Sequence, residues 1–262
     1  MKVISLGAGV QSSTLFLMSC LGEIEKADVA IFADTQGEPP DVYTHLDYLS
    51  EFGDKHGISV HRVTKGDLLA DFMQFVEGSA KRATMLPLQT RNPDTGLPGG
   101  LLGRQCTRDY KLYPIRAKTR ALLKERGETR AEMWIGISTD EINRMKESTV
   151  AFAKNRWPLI ELRMSRQDCL AWYEGKAFPK PPRSACYYCP FHSNTEWQRI
   201  RDANPDLWSQ AVEIDRKVRN FRAVRYENYL HKSRVPLDEA VLDVDVGQID
   251  MFDNECEGMC GV

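Results

Sequence analysis

Short apolar runs alternate with segments of helical periodicity along the first 77 residues of the chain. The apolar runs have the length of buried strands, whereas the segments between them repeat their apolar residues every three or four positions. Strands are predicted at 3–6, 28–35 and 58–63, and helices after them at 15–18, 42–56 and 67–77. This β-α-β-α-β-α order predicts an α/β fold with a central, mostly parallel sheet and helices on both faces.

The rest of the chain is predicted to hold fewer strands and more helix. A Gly- and Pro-rich stretch at 90–106 is predicted to be a long loop, and such loops are usually functional or mobile. Further strands are predicted at 132–137 and 156–162, and helices at 110–126, 165–173 and 194–224. We therefore predict two domains, a sheet domain at 1–164 and a C-terminal helical extension at 165–262.

The composition is that of a globular protein, with 42% hydrophobic and 27% charged residues. A formal net charge of −2 argues against a generally basic nucleic-acid coat but leaves a local basic patch open. No apolar run reaches the ~20 residues that span a bilayer, so no membrane partner is expected. Because Met1 leads directly into the first strand, we expect no signal peptide and a cytoplasmic location.

The first predicted strand ends in a loop of small residues that is typical of anion binding. Backbone N–H groups in such a loop approach an anion closely, and the following helix N-terminus adds a partial positive charge. The residues assigned to this cradle are Ser5, Gly7, Ala8, Gly9, Gln11, Ser12 and Ser13. The alternative is an ordinary strand–helix turn in which glycine serves geometry and serine caps the helix.

Seven cysteines indicate metal or redox chemistry more than a disulfide framework, because their number is odd and four of them form two close pairs. Cys20 and Cys169 lie in apolar, helix-like surroundings and are interpreted as core residues. Cys186 and Cys189 form a C-x-x-C followed by proline, a spacing that lets two thiolates reach one metal or cluster. A thioredoxin-like redox pair is the competing interpretation of that motif.

A metal or cluster at the C-x-x-C would need further ligands. Those available are Cys106, which neighbouring cations would hold as a thiolate, the tail cysteines Cys256 and Cys260, and His192. The polar tail is by default a frayed end, but two cysteines in it favour ligands or a mobile nucleophile. We favour an iron–sulfur cluster, although the spacing does not decide between it and zinc.

Two cationic stretches, 110–126 and 216–225, are by default solvated helix faces. Close to an anion-binding loop, however, Arg108, Lys111 and Arg116 are candidates for contacts with phosphate or a nucleic-acid backbone.

These motifs together resemble the PP-loop ATP pyrophosphatase superfamily, in particular its phosphoadenosine phosphosulfate (PAPS) reductase-like, iron–sulfur-containing branch. The resemblance runs over most of the chain, from Met1 to about His192. It is carried, in order, by Gly7–Ser12, by Ile31–Thr35 with Glu38, by Gln105–Lys111, by Trp134–Glu141 with Arg144, by Pro158–Ile160, and by Cys186–Pro190.

The chain departs from this family's pattern at several positions. Gln11 stands where the loop usually has Asp, and Gly7 where it has its first Ser, so direct metal coordination at the loop is weakened while backbone anion binding is kept. The tail around Cys256 matches the reductases' nucleophilic tail only loosely, and Cys106 stands alone where iron–sulfur reductases have adjacent cysteines.

The resemblance implies that 1–164 is an adenine-nucleotide α-hydrolase-like, PP-loop domain that binds ATP or a related nucleotide with Mg²⁺. The loop residues would cradle phosphate, Asp34 and Gly136 would lie near the ribose and base, and Arg108, Lys111 and Arg144 would neutralise charge. The extension would hold a [4Fe–4S] cluster on Cys106, Cys186, Cys189 and Cys256, leaving Cys260 for a persulfide. Of the two catalytic candidates, Cys256 and Cys260, one would thus be a cluster ligand.

The leading hypothesis is an enzyme that adenylates its substrate, releases pyrophosphate, and transfers sulfur to a nucleobase or nucleic acid. A sulfur-donor or reductant protein and a second copy of the chain, in a homodimer, are allowed as partners. One alternative is a thiol-dependent APS/PAPS reductase with Cys256 or Cys260 as nucleophile. Another is a non-enzymatic nucleotide- or nucleic-acid-binding subunit whose cysteines hold structural zinc.

Overall fold

The computed structural model of the protein describes residues 1–243, which form two compact units. The first unit contains Met1–Lys65 and Thr107–Ser184, and the second contains Gly66–Cys106 and 185–243. Units of this kind are defined by chain contacts rather than by function, so the two domains assigned at 1–164 and 165–262 stay a prediction.

The first unit is built on a five-stranded sheet whose strands are all parallel, in the order β3-β2-β1-β6-β7. Its strands are β1 (Lys2–Ser5), β2 (Val29–Asp34), β3 (Ser59–Thr64), β6 (Ala131–Ile135) and β7 (Ala153–Arg156). The α/β fold with a parallel central sheet is therefore confirmed. Because β1 is the middle strand, both of its backbone edges are paired, with β2 on one side and β6 on the other.

Helices cover both faces of this sheet. Those of the first unit are α1 (Val10–Leu21), α2 (Pro40–Lys55), α4 (Tyr113–Arg126), α5 (Pro158–Glu161) and α6 (Arg166–Trp172). One core contains Ile4 and Phe32 from the strands with Leu15, Leu46 and Leu159 from α1, α2 and α5. The opposite core is formed between α4 and the other sides of the same strands, so neighbouring strand residues point to opposite layers.

The second unit contains an antiparallel sheet and three helices. Its strands, in the order β5-β4-β8, are β4 (Gln89–Arg91), β5 (Pro98–Leu101) and β8 (Glu227–Tyr229). Its helices are α3 (Leu68–Val76), α7 (Asn194–Ala203) and α8 (Pro205–Val218). Aromatic edge contacts join α3 to the segment after α8, between Phe72 and Phe221, and α7 to α8, between Trp197 and Trp208.

Three predicted elements are wrong. The stretch 90–106 contains most of a β-hairpin rather than only a loop, because Asn92 and Gly96 close a turn between β4 and β5. The strand predicted at 156–162 is displaced: β7 ends at Arg156, and Pro158 begins the short helix α5. The helix predicted at 194–224 is broken at Asn204, since the residue before Pro205 leaves the helical region.

Other local predictions are confirmed. Ser165 caps α6, and its hydroxyl accepts a hydrogen bond from the backbone N–H of Asp168 in a capping box. Cys20 and Cys169 are both buried in the core of the first unit. No described helix is long and apolar enough to cross a membrane.

The contact between α1 and α2 depends on a glycine. A Cβ atom at Gly53 would lie 2.3 Å from the carbonyl oxygen of Ile58 and 2.7 Å from Cζ of Phe16. Since one of these atoms is backbone, the structure cannot relieve the overlap by moving a side chain alone. Gly53 thus allows α2 to approach the helix whose N-terminus carries the small-residue loop.

We predict that Gly53→Ala destabilises the protein by about 2 kcal/mol, because overpacking outweighs the better helix propensity of alanine. This loss corresponds to a fall in melting temperature of roughly 6 °C for a chain of this size. Gly103→Ala is the matched control, since no heavy atom lies within 4 Å of the added Cβ there. An unchanged or higher melting temperature for Gly53→Ala would contradict the predicted overlap.

Candidate functional site

The candidate site lies at the carboxyl edge of the parallel sheet, where the chain leaves β1 and β6. The strand order runs outward from β1 in both directions, so these two adjacent strands send their following segments to opposite sides. Gln11 joins the two sides, because its side-chain Nε2 donates to Ser138 Oγ at 3.4 Å and to Glu141 Oε2 at 3.2 Å. In open α/β sheets such a switch point is where ligands bind.

The β1–α1 loop has the geometry of an anion cradle. Ala8 adopts a left-handed conformation, with φ of 60°, and Gly9 is the extended N-cap of α1. The hydroxyl of Ser12 accepts a hydrogen bond from the Gly7 N–H at 3.1 Å and closes the loop. The first N–H groups of α1 have no acceptors within the helix and carry the positive end of its dipole.

Three buried polar atoms around this loop have no hydrogen-bond partner among residues 1–243. They are Ser5 Oγ at the end of β1, Gln11 Oε1 in the first turn of α1, and His45 Nδ1 in α2. Ser5 and Gln11 are almost fully buried, with 1% and 0% exposed surface. A buried polar group without a partner is costly, so these atoms indicate a place where a polar ligand completes the hydrogen bonds.

Ser13, the last residue assigned to the cradle, is bonded to a histidine. Its hydroxyl lies 3.0 Å from Nε2 of His45, and both side chains are buried. Burial lowers the pKa of His45 to about 4, although the Asp41 carboxylate acts in the opposite direction. His45 is therefore neutral at physiological pH and fixes the orientation of the Ser13 hydroxyl. The sequence around His45 has no ligand-like spacing and predicts no role for it.

Asp34 ends β2 at the same edge, and its carboxylate is fully engaged. It accepts hydrogen bonds from the Gln36 N–H, from the Tyr43 hydroxyl at 2.9 Å, and from Nε and Nη2 of Arg62. Burial and the charge of Asp34 raise the pKa of Tyr43 well above its ordinary value. These contacts make Asp34 an organiser of the turn between β2 and α2; its predicted proximity to ribose stays a prediction.

A buried ion pair lies on the other side of that turn. Lys111 Nζ is 3.5 Å from Glu38 Oε1, and the Ser184 hydroxyl donates to Glu38 Oε2 at 3.2 Å. Lys111 belongs to a π-helical segment, Thr107–Leu112, that leads into α4. Such segments are rare and frequent at functional sites. Arg108, in the same segment, pairs with its neighbour Asp109.

The segment after β6 supplies the far wall of the site. Gly136 follows the strand, and Ser138 is the N-cap of a 3₁₀ segment, Thr139–Arg144. Within that segment Arg144 forms an ion pair with Glu141, the same residue that accepts from Gln11. The structure thus links Gln11 and Arg144, two of the predicted ligand-binding residues, through one carboxylate.

The described cysteines outside the first unit's core all belong to the second unit. Cys186 and Cys189 lie in one turn, in which the Cys189 N–H donates to the Cys186 carbonyl at 2.8 Å. Nε2 of His192 lies 2.9 Å from the same carbonyl oxygen. Burial and the adjacent Cys186 raise the pKa of Tyr188 well above its ordinary value.

Cys106 is brought toward this turn by a neighbouring contact. The guanidinium of Arg104 lies 5.0 Å from the ring centre of Phe191, which places the segment ending at Cys106 beside the C-x-x-C turn. Even so, no three or more His, Cys, Asp or Glu side chains among residues 1–243 are grouped to hold a metal. The described residues therefore do not by themselves fit a cluster or zinc, and Cys256 and Cys260 lie outside them.

The sequence gives little or no indication that several residues belong to the site. Tyr43 and Arg62 were missed because their role depends on meeting Asp34 across three elements. The sequence offers only a weak indication for Arg62: it is a cation near the end of a predicted strand in which polar and apolar residues alternate. Ser138 belongs to the motif Trp134–Glu141, but nothing in that motif indicates its contact with Gln11, a residue 127 positions away in the sequence.

Comparisons with known proteins give a weak structural likeness and no match to a family. No protein-family model matches the chain, and no curated protein matches it. Among solved structures, the chain is similar to a phosphoadenylyl-sulfate (PAPS) reductase from Candida auris, determined as a phosphate complex, with 12% sequence identity and a TM-score of 0.39. The similarity covers 69% of this chain and 73% of that chain. A likeness with so low a TM-score carries no argument about ligands or activity.

The low pKa of His45 predicts a pH dependence of stability. Between about pH 6.5 and pH 4 the unfolded chain binds a proton at this position and the folded chain does not, so stability falls as pH falls through this range. Moving from neutral pH to about pH 5 removes about 2 kcal/mol through His45.

We expect the variant His45→Gln, which keeps an acceptor for Ser13 but does not titrate, to lose about 2 kcal/mol less than the wild type over this interval. Urea unfolding at the two pH values measures the difference. His231 is the control, because burial and Lys232 lower its pKa to about 4 as well, and its contribution is present in both proteins. Equal losses in wild type and variant would show that His45 is not held neutral by the fold.

Proposed function

We propose that this chain is a PAPS reductase-like PP-loop enzyme that binds an adenine nucleotide at the β1–α1 loop and activates its second substrate by adenylation. The observation that carries the proposal is the loop at the switch point, with Ala8 left-handed and Gly9 as the helix N-cap. Loops of this kind bind phosphate through backbone N–H groups. The choice of adenine rests on the resemblance of the ordered motifs to that family.

In this reaction a nucleophilic oxygen of the acceptor attacks the α-phosphorus of ATP. The bond between the α-phosphorus and the oxygen leading to the β-phosphorus breaks, and pyrophosphate leaves. The loop and the α1 N-terminus would hold the leaving phosphates and stabilise the charge that develops on them. Arg144 and Lys111 are proposed to neutralise further phosphate charge from the β6 and β2 sides of the loop.

Mg²⁺ fits the donors that line the site. Gln11 Oε1 is a buried amide oxygen without a partner in the described chain, and Glu141 supplies a carboxylate beside it. Mg²⁺ takes hard oxygen ligands and is commonly held by one or two protein groups together with nucleotide phosphates. We propose that these two residues hold the ion, which would neutralise phosphate charge during transfer.

The cysteines are proposed to serve the sulfur-transfer half of the reaction, with a [4Fe–4S] cluster on Cys106, Cys186, Cys189 and Cys256. A sulfur-donor protein would supply the sulfur that displaces AMP from the activated nucleobase. No step is assigned to the cluster, because the described residues do not complete its ligand set. Iron, sulfide and zinc analysis of anaerobically purified protein distinguishes a cluster from zinc.

The loop conformation provides a matched pair of variants for nucleotide binding. A β-branched residue is strongly disfavoured in the left-handed region, whereas glycine adopts it readily. We therefore expect Ala8→Val to weaken ATP binding about tenfold or more, and Ala8→Gly to bind like the wild type. Isothermal titration with Mg-ATP measures both.

Thermal unfolding of the two variants serves as the control for folding, since Ala8 is buried. Equal ATP affinities in a folded Ala8→Val variant would contradict the proposed cradle. Formation of ADP and phosphate, instead of AMP and pyrophosphate, would contradict adenylation.

The tail cysteines separate adenylation from the reductase alternative. We expect the double variant Cys256→Ser/Cys260→Ser to bind ATP as tightly as the wild type, because the cradle contains no cysteine. The wild type is expected to release no sulfite from APS or PAPS in the presence of a thiol reductant. Sulfite release that disappears in the double variant would support the reductase and overturn the proposal.

A further inference from the structure

The outer face of α4 carries a row of cations headed by an aromatic residue. The helix packs on the sheet through Ile115, Leu122 and Leu123, which leaves the opposite face in solvent. Tyr113, Arg116, Arg120 and Lys124 follow one another at spacings of three or four residues and therefore share one face. Tyr113 is 50% exposed, so its ring is accessible from solvent.

The charges of this row are not balanced by carboxylates. Arg116, Lys118, Arg120 and Lys124 form no ion pair with any carboxylate of residues 1–243. Several other arginines of the first unit are paired: Arg62 with Asp34, Arg126 with Asp28, Arg144 with Glu141, and Arg156 with Glu25, Glu132 and Glu161. Since the whole chain has a formal charge of −2, the unbalanced cations on α4 form a distinct positive strip.

Two cations of the row are held in place by neutral groups. Nη2 of Arg116 donates to the Thr149 hydroxyl at 3.1 Å, and the guanidinium of Arg120 lies 4.7 Å from the ring centre of Phe152. Such contacts reduce side-chain freedom without cancelling charge. The row is thus partly preorganised to receive an extended anion.

The row begins at the edge of the sheet where the candidate site lies. Tyr113 follows directly after the π-helical segment that carries Arg108 and Lys111. The helix runs antiparallel to the strands, because Arg126 at its C-terminal end pairs with Asp28, the residue just before β2. A polyanion lying along α4 would therefore have one end at the candidate nucleotide site.

We propose that this face of α4 binds a single-stranded segment of a nucleic acid, with its phosphates on Arg116, Arg120 and Lys124 and one base stacked on Tyr113. Cations tracking the backbone with an aromatic platform for a base are the usual means of binding single strands. The inference rests on the proposed function and deepens it, since it identifies the second substrate as a nucleic acid. A duplex or an anionic membrane would use the cations but leave the Tyr113 ring without a stacking partner.

The test is fluorescence anisotropy with short labelled single strands of RNA and DNA over a series of salt concentrations. We expect Arg120→Gln/Lys124→Gln to weaken binding about tenfold and to reduce the slope of log affinity against log salt by about 1.4, the value for two lost phosphate contacts. The control is Lys26→Gln/Lys55→Gln, which removes the same charge from another part of the first unit. Both lysines are exposed and form no ion pair among residues 1–243, so we expect neither the affinity nor the salt slope to change.

Tyr113 distinguishes a single strand from other polyanions. We expect Tyr113→Ala to weaken single-strand binding about tenfold at unchanged salt slope, and Tyr113→Phe to restore it, because the ring and not the hydroxyl stacks. Equal binding of duplex, or of vesicles containing phosphatidylserine, with Tyr113 dispensable would overturn the inference. So would the absence of single-strand binding at low salt.

Failure of this inference is distinguishable from failure of the proposed function. Both row variants are expected to bind ATP normally, and Ala8→Val is expected to bind single strands normally. ATP binding without single-strand binding would overturn the α4 face alone. Single-strand binding without ATP binding would overturn the nucleotide site alone.

Discussion

The structure of the first unit depends on how its middle strand ends. Because β1 is paired on both edges and buried on both faces, the chain after Ser5 has to leave the sheet within a few residues. The left-handed conformation of Ala8 makes this turn and points the N-terminus of α1 at the sheet edge. The same constraint that closes the core thus brings the first N–H groups of α1, which have no acceptor within the helix, to the switch point of the sheet.

The features that the sequence predicted are those encoded locally. Apolar runs identified four of the five parallel strands, small residues identified the β1–α1 loop, and Ser165 with Asp168 identified the start of α6. The error at 90–106 arose where distant residues decide. Strand β4 pairs with β8, although the paired residues Thr90 and Asn228 lie 138 positions apart in the sequence. Neither strand is long enough to be recognised alone. Likewise, the engagement of Asp34 by Arg62 becomes visible only when β2 and β3 lie side by side.

Charge is distributed unequally over the first unit. Around the sheet edge each cation near the site has a carboxylate at hand, as Lys111 has Glu38 and Arg144 has Glu141. Both members of such a pair are already compensated in the protein, and removing one partner would leave an uncompensated charge. Along the row Arg116, Arg120 and Lys124, by contrast, the cations form no ion pair with a carboxylate of residues 1–243, so an anion from solution would displace none. The two arrangements suit two different anions, one enclosed and one lying along a surface.

Gln11 shows how one side chain sets the chemistry of the site. A carboxylate at this position would face Glu141, and two like charges so close would raise the pKa of one of them. The neutral amide instead donates to Glu141, whose carboxylate also pairs with Arg144. Its oxygen has no partner among residues 1–243, while its nitrogen ties the β1 loop to the segment after β6. Compared with an acidic residue at this position, Gln11 therefore provides a brace between the two walls of the site in place of a second negative charge.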